Sequence, residues 1–397
     1  CFMPKKVIIA GGGIGGLSAA LALNLQGFDV DIFEQSDALK EVGAGIQLSP
    51  NAMHTLRALG VQDKIIALGF LPQNATMRHY QTAKTYLQMP LGSAIEQKYG
   101  APYVHIHRAD LHKILYQSAL ERGVKITLNA RVKSYKHVNT SNAQQVKAEL
   151  ADGGELHCDV LIGADGIRSS IKKCMLPHSE IQFTGQVAWR GTIKSQNVPK
   201  GLVNPEANLW VGPGAHVVSY YVRGGDEINV IAVQEREQWD DERWNVDGDI
   251  TALRALFCDW HPDVQQLLGK MDDCFLWGLF GSAPLETWVD GQVALLGDAC
   301  HPMLPFVAQG AAMAIEDGAC LAKALLSEPR MNHALLNYQS QRLARVTKVQ
   351  KMAANNAGLY HMQGLSNKMK LQALKLLNMM SADLASFPMS FIYRYNQ

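Results

Sequence analysis

Six residues near the amino terminus, Gly11-Gly12-Gly13-Ile14-Gly15-Gly16, limit what this chain can fold into more than any other stretch. They put Gly11, Gly13 and Gly16 in the spacing GxGxxG, between an apolar run at residues 6–10 and a helical pattern over residues 14–25. A strand that turns this sharply into a helix uses the first glycine for the turn. The second admits a pyrophosphate against the backbone, and the third lets helix and strand pack closely. The helix N-terminus then turns its free N–H groups and the positive end of its dipole toward the phosphates. Residues 30–34 read as a second strand, which completes a right-handed βαβ unit and implies a parallel sheet. Glu34 lies 23 positions after Gly11, at the strand end, where a carboxylate can accept hydrogen bonds from both ribose hydroxyls. An adenine dinucleotide is expected, and this motif alone does not choose between FAD and NAD.

With 397 residues the chain has room for two interlocked lobes and a catalytic cleft. Helical spacing recurs over residues 49–68, 106–122, 252–268 and 311–326. Strand-like runs occupy 76–90, 125–129, 146–150, 160–162 and 293–296. Residues 182–233 are rich in β-branched and aromatic residues with Pro-Gly and Gly-Gly turns, so an antiparallel sheet roofing a pocket is expected there. The expected division is a discontinuous nucleotide-binding lobe (residues 1–75, 104–180 and 285–330), a β-sheet lobe (76–103 and 181–284) and C-terminal helices (331–397). Met, Leu and Lys recur at helical spacing over residues 365–380, which reads as a helix packed on the body.

A formal net charge of +1 gives no electrostatic reason to expect nucleic acid or an acidic membrane, so the partner is expected to be small. The seven cysteines form no CxxC pair, which fits thiols in a reducing compartment without disulfides or a structural metal. Neither a run of 18 apolar residues nor a signal-peptide pattern occurs, and the expected address is the cytoplasm.

Two further motifs choose the dinucleotide. Asp159-Val160-Leu161-Ile162-Gly163-Ala164-Asp165-Gly166-Ile167-Arg168-Ser169 and Gly297-Asp298-Ala299-Cys300-His301-Pro302 resemble the "DG" and "GD" motifs of the FAD-dependent aromatic hydroxylases, the class A flavoprotein monooxygenases. The resemblance is strongest to the branch with salicylate hydroxylase, 3-hydroxybenzoate 6-hydroxylase and 6-hydroxynicotinate 3-monooxygenase. Gly43-Ala44-Gly45-Ile46, His107-Arg108-Ala109-Asp110-Leu111 and Trp210-Val211-Gly212-Pro213 support it. It implies an α/β fold, a Rossmann-like FAD-binding domain with an interleaved β-sheet substrate domain and a C-terminal helical segment.

The cofactor residues that follow are Gly11, Gly13, Ile14, Gly15, Gly16, Glu34 and Gln35 at the adenine end, with Gly45, Gln47 and Arg108 further along and Arg108 paired with the pyrophosphate. Asp165 and Gly297 with Asp298 complete them, the Asp298 carboxylate holding a ribityl hydroxyl. Pro305 is expected beside the reactive ring. Gly310, Ala311 and Ala312 open a helix whose N–H groups stabilise negative charge on reduced flavin. NADH or NADPH acts as transient electron donor, with NADH preferred because Lys40 is the one cation following Glu34 that could meet a 2′-phosphate. Dioxygen then adds at the flavin C4a position as a hydroperoxide, which hydroxylates an aromatic acid.

His216 and Tyr220 lie four apart in a strand pattern, so both side chains point to one face. Phenol hydroxylation needs a ring made electron-rich by loss of its hydroxyl proton, and a histidine suits that task. The catalytic set expected is His216, Tyr220 and Pro305, with Trp189, Arg190, Trp210, His216 and Tyr220 around the substrate. Arg190 reads either as a carboxylate clamp or as a structural bridge. Cys300 and His301 are adjacent and cannot easily share a tetrahedral site, so no metal is expected. A homodimer is compatible with all this, and an epoxidase or reductase on the same scaffold, or a non-catalytic flavin-binding module, are the rival readings.

Overall fold

The computed structural model describes residues 5–37, 44–139, 144–239, 241 and 245–396. Lys40 and Gly43 of the sequence reading lie outside them. Apolar runs at Lys6–Ala10 and Val160–Gly163 form neighbouring central strands of a six-stranded sheet, ordered Val289–Asp290, Val293–Leu295, Val160–Gly163, Lys6–Ala10, Asp29–Phe33, Lys125–Thr127. All pairs are parallel except the first, as expected for strands buried on both faces. The helix Ile14–Leu25 is buried nearly all round because the helix Gly310–Ser327 packs along it. Small residues allow that approach: a Cβ on Gly318 would stand 2.8 Å from the Ala19 nitrogen.

The second large sheet has eight strands, ordered Asn245–Asp247, Phe275–Gly281, Gln182–Lys194, Glu227–Glu235, Ala215–Val222, Ala207–Gly212, Asn74–His79, Thr85–Pro90. It is antiparallel apart from the pairing of Ala207–Gly212 with Asn74–His79. One face packs on the short helices Ile250–Leu256 and Pro262–Leu268 through Val187, Trp189, Val217, Leu253 and Phe257. The other face turns toward the nucleotide-binding sheet and carries Ala188 and Val233 against Phe306 and Ala357. A two-stranded piece, Gly45–Leu48 with Val104–His107, lies between the two.

Several expected elements are divided. The helical pattern at 49–68 is two helices, Pro50–Ala58 and Gln62–Leu68, parted at Gly60 with φ +74°. That at 106–122 begins only at Arg108, since the preceding residues complete a strand and the His107 ring accepts the Ala109 N–H. His261-Pro262 splits 252–268, because proline biases its predecessor out of the helical region. The C-terminal segment is helical as expected: Met331–Tyr360, Gly364–Met380 and Ala382–Tyr393. The helix over residues 365–380 packs on the body as expected, but narrowly: Leu371, against Met77, Tyr86 and Val211, is its one buried residue. Leu365, Met369, Leu376, Met379 and Met380 are exposed.

Candidate active site

The glycine turn has the expected shape. Gly11 sits at φ +107°, and a Cβ there would lie 2.3 Å from the Ala164 carbonyl oxygen, so no other residue fits. Gly13 caps the helix Ile14–Leu25. It offers no side-chain cap, no acid occupies the first turn, and a Cβ on it would meet nothing within 4 Å. An uncapped N-terminus facing open space is what an anion needs. Glu34 stands at the mouth of this turn, where Oε2 accepts the Gly12 N–H at 2.7 Å and Oε1 the Ser36 N–H at 2.9 Å. Each carboxylate oxygen keeps a further lone pair for a hydroxyl. Asp298 is exposed between the buried Gly297 and Ala299, so its carboxylate points out of an otherwise enclosed loop. These features fit the pyrophosphate and polyol parts of FAD.

Asp165, expected at the cofactor, is held by protein donors. Its oxygens accept the Ser169 hydroxyl at 2.5 Å and the Ser170 N–H at 2.7 Å, which caps the helix Ser170–Met175. Burial raises its pKa despite those bonds. Its direct work here is to hold the turn that packs on Gly11. Gln35 is exposed beside Glu34. Arg108 opens the helix Arg108–Glu121, and its own N–H is held by the Ala44 carbonyl at 2.8 Å.

The helix at the opposite end begins at Gly310, as expected. Gln309 at its N-cap makes no capping bond; its amide donates to Ser49 Oγ at 2.8 Å instead, and the first turn holds no acid. No side chain caps the N–H groups of this turn, where Ala311 is half-buried and Ala312 buried. Just before it Ala308 has φ +52°, a left-handed conformation unusual for alanine and a mark of strain at this loop. Pro305 opens the short turn Pro305–Val307, and its carbonyl accepts the Ala308 N–H at 3.1 Å. The next carbonyl, that of Phe306, accepts the Tyr360 hydroxyl at 2.9 Å and the Asn356 amide at 3.3 Å. The long helix Met331–Tyr360 thus holds this loop in place.

Behind the loop lies a buried ionic cluster. Arg342 donates to Glu316 Oε2 at 2.6 Å and Asp317 Oδ1 at 2.7 Å, with all three side chains fully enclosed. Arg345 adds two bonds to Glu316, and Asn51 donates to Glu316 and to Gln309. His301 pairs with Asp317. Burial opposes its charge, but Cys300 and the Asp317 carboxylate raise its pKa well above the usual imidazole value. The fold thus brings a third group, Asp317, to Cys300 and His301, which their spacing in sequence did not reveal. Its lone pairs meet the protons of His301, Gly297 N–H and Arg342. A guanidinium against the same carboxylate disfavours a metal cation there.

The substrate face follows from strand register. Residues opposite one another across antiparallel strands share a face, so Ala188, Val233 and His216 form one row, Arg190, Ile231 and Val218 the next, and Thr192, Asn229 and Tyr220 the third. This is the face turned toward Phe306: the His216 and Phe306 rings are 4.9 Å apart, edge to face. Trp189 and Trp210 need correction as pocket residues. Both sit on the reverse face, in the core against the short helices, where Trp189 donates to Gln234 at 2.8 Å and Trp210 stacks on His261. Consecutive strand residues point to opposite sides, so Trp189 and Arg190 cannot both line one pocket.

Tyr220 is buried, with its hydroxyl bonded to the Gln47 side chain, whose oxygen accepts the Tyr103 hydroxyl at 2.7 Å. Burial raises the Tyr220 pKa, so it stays a neutral phenol. Gly45 is required beside it, since a Cβ would stand 2.5 Å from the Tyr220 ring. The His105 ring packs 4.5 Å from that of Tyr220, and burial brings its pKa down to about 3. Arg190 stacks over Trp277 at 4.7 Å. Its Nε is buried without a hydrogen-bond partner, and among the described residues no carboxylate pairs with it. Burial pulls its pKa down to about 10, against the pull of Tyr220. His216 Nδ1 lies 2.8 Å from His361 Nε2, and His361 Nδ1 lies 2.9 Å from Glu235 Oε1. Burial, then the neighbouring His361, lowers the His216 pKa well below the ordinary value. The sequence reading had no place for Glu235, Tyr360, His361 or Tyr103. They come from remote segments, and no local spacing announces them.

An uncapped glycine turn, an exposed acid on a buried loop and a polar sheet face over a second uncapped helix are the features a flavin-dependent oxygenase needs. The FAD-binding domain family matches residues 5–353, and the chain belongs to that family. It is 35% identical over 362 residues to 6-hydroxynicotinate 3-monooxygenase of Pseudomonas fluorescens, covering 89% of this chain and 91% of that one. It is equally 35% identical over 364 residues to 3-hydroxybenzoate 6-hydroxylase 1 of Aquipseudomonas alcaligenes, covering 91% of each. A salicylate hydroxylase substrate complex superposes with a TM-score of 0.82 at 26% identity, covering 99% of this chain and 96% of that one. The chain is an FAD-dependent aromatic monooxygenase.

Proposed function

We propose that the substrate is a small aromatic ring bearing both a hydroxyl and a carboxylate, a hydroxybenzoate or hydroxynicotinate, bound between the sheet face and the Phe306 loop. The observation that carries this reading is Arg190, a half-buried guanidinium whose enclosed Nε has no hydrogen-bond partner and which has no carboxylate of its own among the described residues. A charge held that way is costly unless a ligand completes it. Arg190 shares its face with His216 and Tyr220, so a carboxylate on Arg190 would leave the ring hydroxyl within the histidine's region.

In this reading His216 accepts the phenol proton, and burial keeps its ring neutral before the substrate arrives. Tyr220, fixed by Gln47, gives a neutral hydrogen bond to the ring oxygen. Phe306 and Tyr360 exclude water, and the uncapped N–H groups at Gly310 and Ala311 stabilise negative charge placed before them. FAD would be held by the Gly11–Gly16 turn, Glu34, Arg108 and Asp298. Once reduced by NADH or NADPH, it supplies the activated oxygen. The discontinuous division of the chain into a flavin lobe, a substrate sheet and C-terminal helices belongs to the same proposal. The apolar side of helix Gly364–Met380 is the proposed contact of a homodimer, which light scattering on purified protein tests. The free thiols fit a cytoplasmic address.

The test is a screen of hydroxybenzoates and hydroxynicotinates for stimulated NADH oxidation, with the product identified by mass. A yellow protein that yields hydroxylated acid supports the reading. FAD uptake without stimulation by any acid defeats it in favour of a non-catalytic flavin-binding module. Replacing His216 with Ala is expected to lower hydroxylation by about 10²–10⁴-fold while FAD binding persists.

A further inference from the structure

We propose that His361 and Glu235 are positioning residues for His216, forming a relay that fixes its basic nitrogen and carries its proton to solvent. The proposal rests on the reading of His216 as the base. Its geometry is a line of three groups from pocket to surface: the His216 ring is buried, the His361 side chain is fully enclosed, and the Glu235 side chain is 38% exposed.

Proton counting along this line sets every tautomer. Glu235 is a carboxylate and can only accept, so His361 donates its Nδ1–H at 2.9 Å. A neutral His361 then carries no proton on Nε2. His216 must therefore donate its Nδ1–H across the 2.8 Å contact. The remaining nitrogen of His216, Nε2, is left with a lone pair, and among the described residues it has no hydrogen-bond partner. Without Glu235 nothing would fix the direction of the two hydrogen bonds, and in the reversed tautomer His216 would offer the substrate an N–H instead of a base.

The same line conducts. When His216 Nε2 takes the phenol proton, its Nδ1 proton passes to His361 Nε2, and the His361 Nδ1 proton passes to Glu235 and on to water. One O–H bond of the substrate is broken and one proton appears in solvent. Hydroxylation leaves a ring that regains aromaticity by releasing the proton on its carbon to solvent and gaining one on oxygen. The reverse passage along the line supplies that second proton and restores the starting tautomers.

The fold holds the three groups together through a single turn. Gly214, in the turn between strands Ala207–Gly212 and Ala215–Val222, donates its N–H to the His361 carbonyl at 3.0 Å. Its own carbonyl accepts the Glu235 N–H at 2.9 Å. Gln363 adds a second donor to Glu235 Oε1 at 2.5 Å. The rings facing the relay are uncharged: Phe306 at 4.9 Å and Tyr360 at 5.3 Å from His216, the latter with its pKa raised by burial. No other titratable group among the described residues is paired with it.

The test uses the FAD-loaded enzyme and whichever of 6-hydroxynicotinate, 3-hydroxybenzoate or salicylate stimulates NADH oxidation most. His361→Gln keeps a hydrogen-bonding side chain but cannot relay. Glu235→Gln keeps an acceptor for His361 but cannot take the proton, and its surface position spares the fold. In the wild type, binding should produce the ultraviolet band of ionised phenol and a fast proton release seen with an indicator dye. His361→Gln should lose the band and drop kcat at least about tenfold with KM little changed. Glu235→Gln should keep the band but release the proton more slowly, with the rate restored by added imidazole. Wild-type band, release rate and kcat in both variants overturn the relay. If His216→Ala itself leaves hydroxylation unchanged, the base reading fails; if His216→Ala is impaired and both relay variants are not, only the relay fails.

Discussion

Two buried polar regions flank the Phe306 loop, and they are built on opposite rules. Behind the loop, Arg342, Arg345, Glu316, Asp317 and His301 saturate one another, with each charge facing an opposite charge at hydrogen-bond distance. In front of it, Arg190 has no carboxylate and His216 keeps an unshared nitrogen, while the bonds they do have run sideways into Trp277 and His361. Burial alone therefore does not identify function in this molecule. A closed set of valences is architecture, joining the loop's helix to the C-terminal helices through Arg345 and the Phe391 and Ile392 carbonyls. An open valence on a half-buried arginine and on a buried histidine waits for something from outside the chain.

Removing one arginine from each region should break the comparison most sharply. Arg342→Leu removes one of the two arginines balancing the buried Glu316 and Asp317, leaving Asp317 to His301 and the Gly297 N–H and Glu316 to Arg345 and Asn51. It should cost about 3–5 kcal/mol of stability, read as a lower urea midpoint or loss of soluble protein. Arg190→Met removes a guanidinium that has no ionic partner in the free enzyme. Its midpoint should hold or rise. The loss should instead appear in binding: a charge-assisted bond is worth about 1.5–3 kcal/mol, so KM for the aromatic acid should rise roughly ten- to a hundredfold. A destabilised Arg190→Met with unchanged KM would make Arg190 a structural bridge after all.

The sequence showed the backbone-dependent parts of the site and half of the side-chain parts. The turn from Gly11 to Gly16 was legible because steric need and phosphate contact both act on the main chain within a few residues. His216 and Tyr220 were legible because strand alternation is local. Alternation says which residues share a face but not which face meets the flavin lobe, and this is why Trp189 and Trp210 were placed in the pocket. Glu235 and His361 are 126 residues apart and meet only because the end of one helix docks on the Gly214 turn. No pattern in the sequence contains that contact. Asp165 shows the reverse case, a motif residue whose carboxylate is visibly engaged in capping a helix.

The two regions should also tilt stability in opposite directions with pH. His301 has a raised pKa, so its ion pair contributes fully below the ordinary imidazole value of about 6.5 and is lost as pH rises through the folded value. His216 and His361 have lowered values, first through burial; His361 on His216 adds to the lowering, and Glu235 on His361 opposes it. They fold neutral, and the stability they contribute is present above about 6.5 and falls away as pH drops below it. Urea midpoints measured between pH 5.5 and 7.5 should therefore drop on the acid side. His216→Gln should reduce that acid slope, with His105 and His361 still contributing, and leave the behaviour at higher pH alone. A slope that His216→Gln does not change would mean that folding does not lower the pKa of this ring.

The smallest expected effect tests the face assignment itself. Trp189 lies next to Arg190 in sequence but behind the sheet, with its indole N–H on Gln234. Trp189→Phe keeps most of the apolar contact with the short helices and loses one hydrogen bond, a change of about 0.5–1.5 kcal/mol in stability. KM and kcat should remain those of the wild type, because the altered ring is separated from substrate by the sheet's own backbone. If KM moves instead, the sheet presents its other face to the substrate. The row of Ala188, Arg190 and Thr192 would then lose its claim on the pocket, and Arg190 with it.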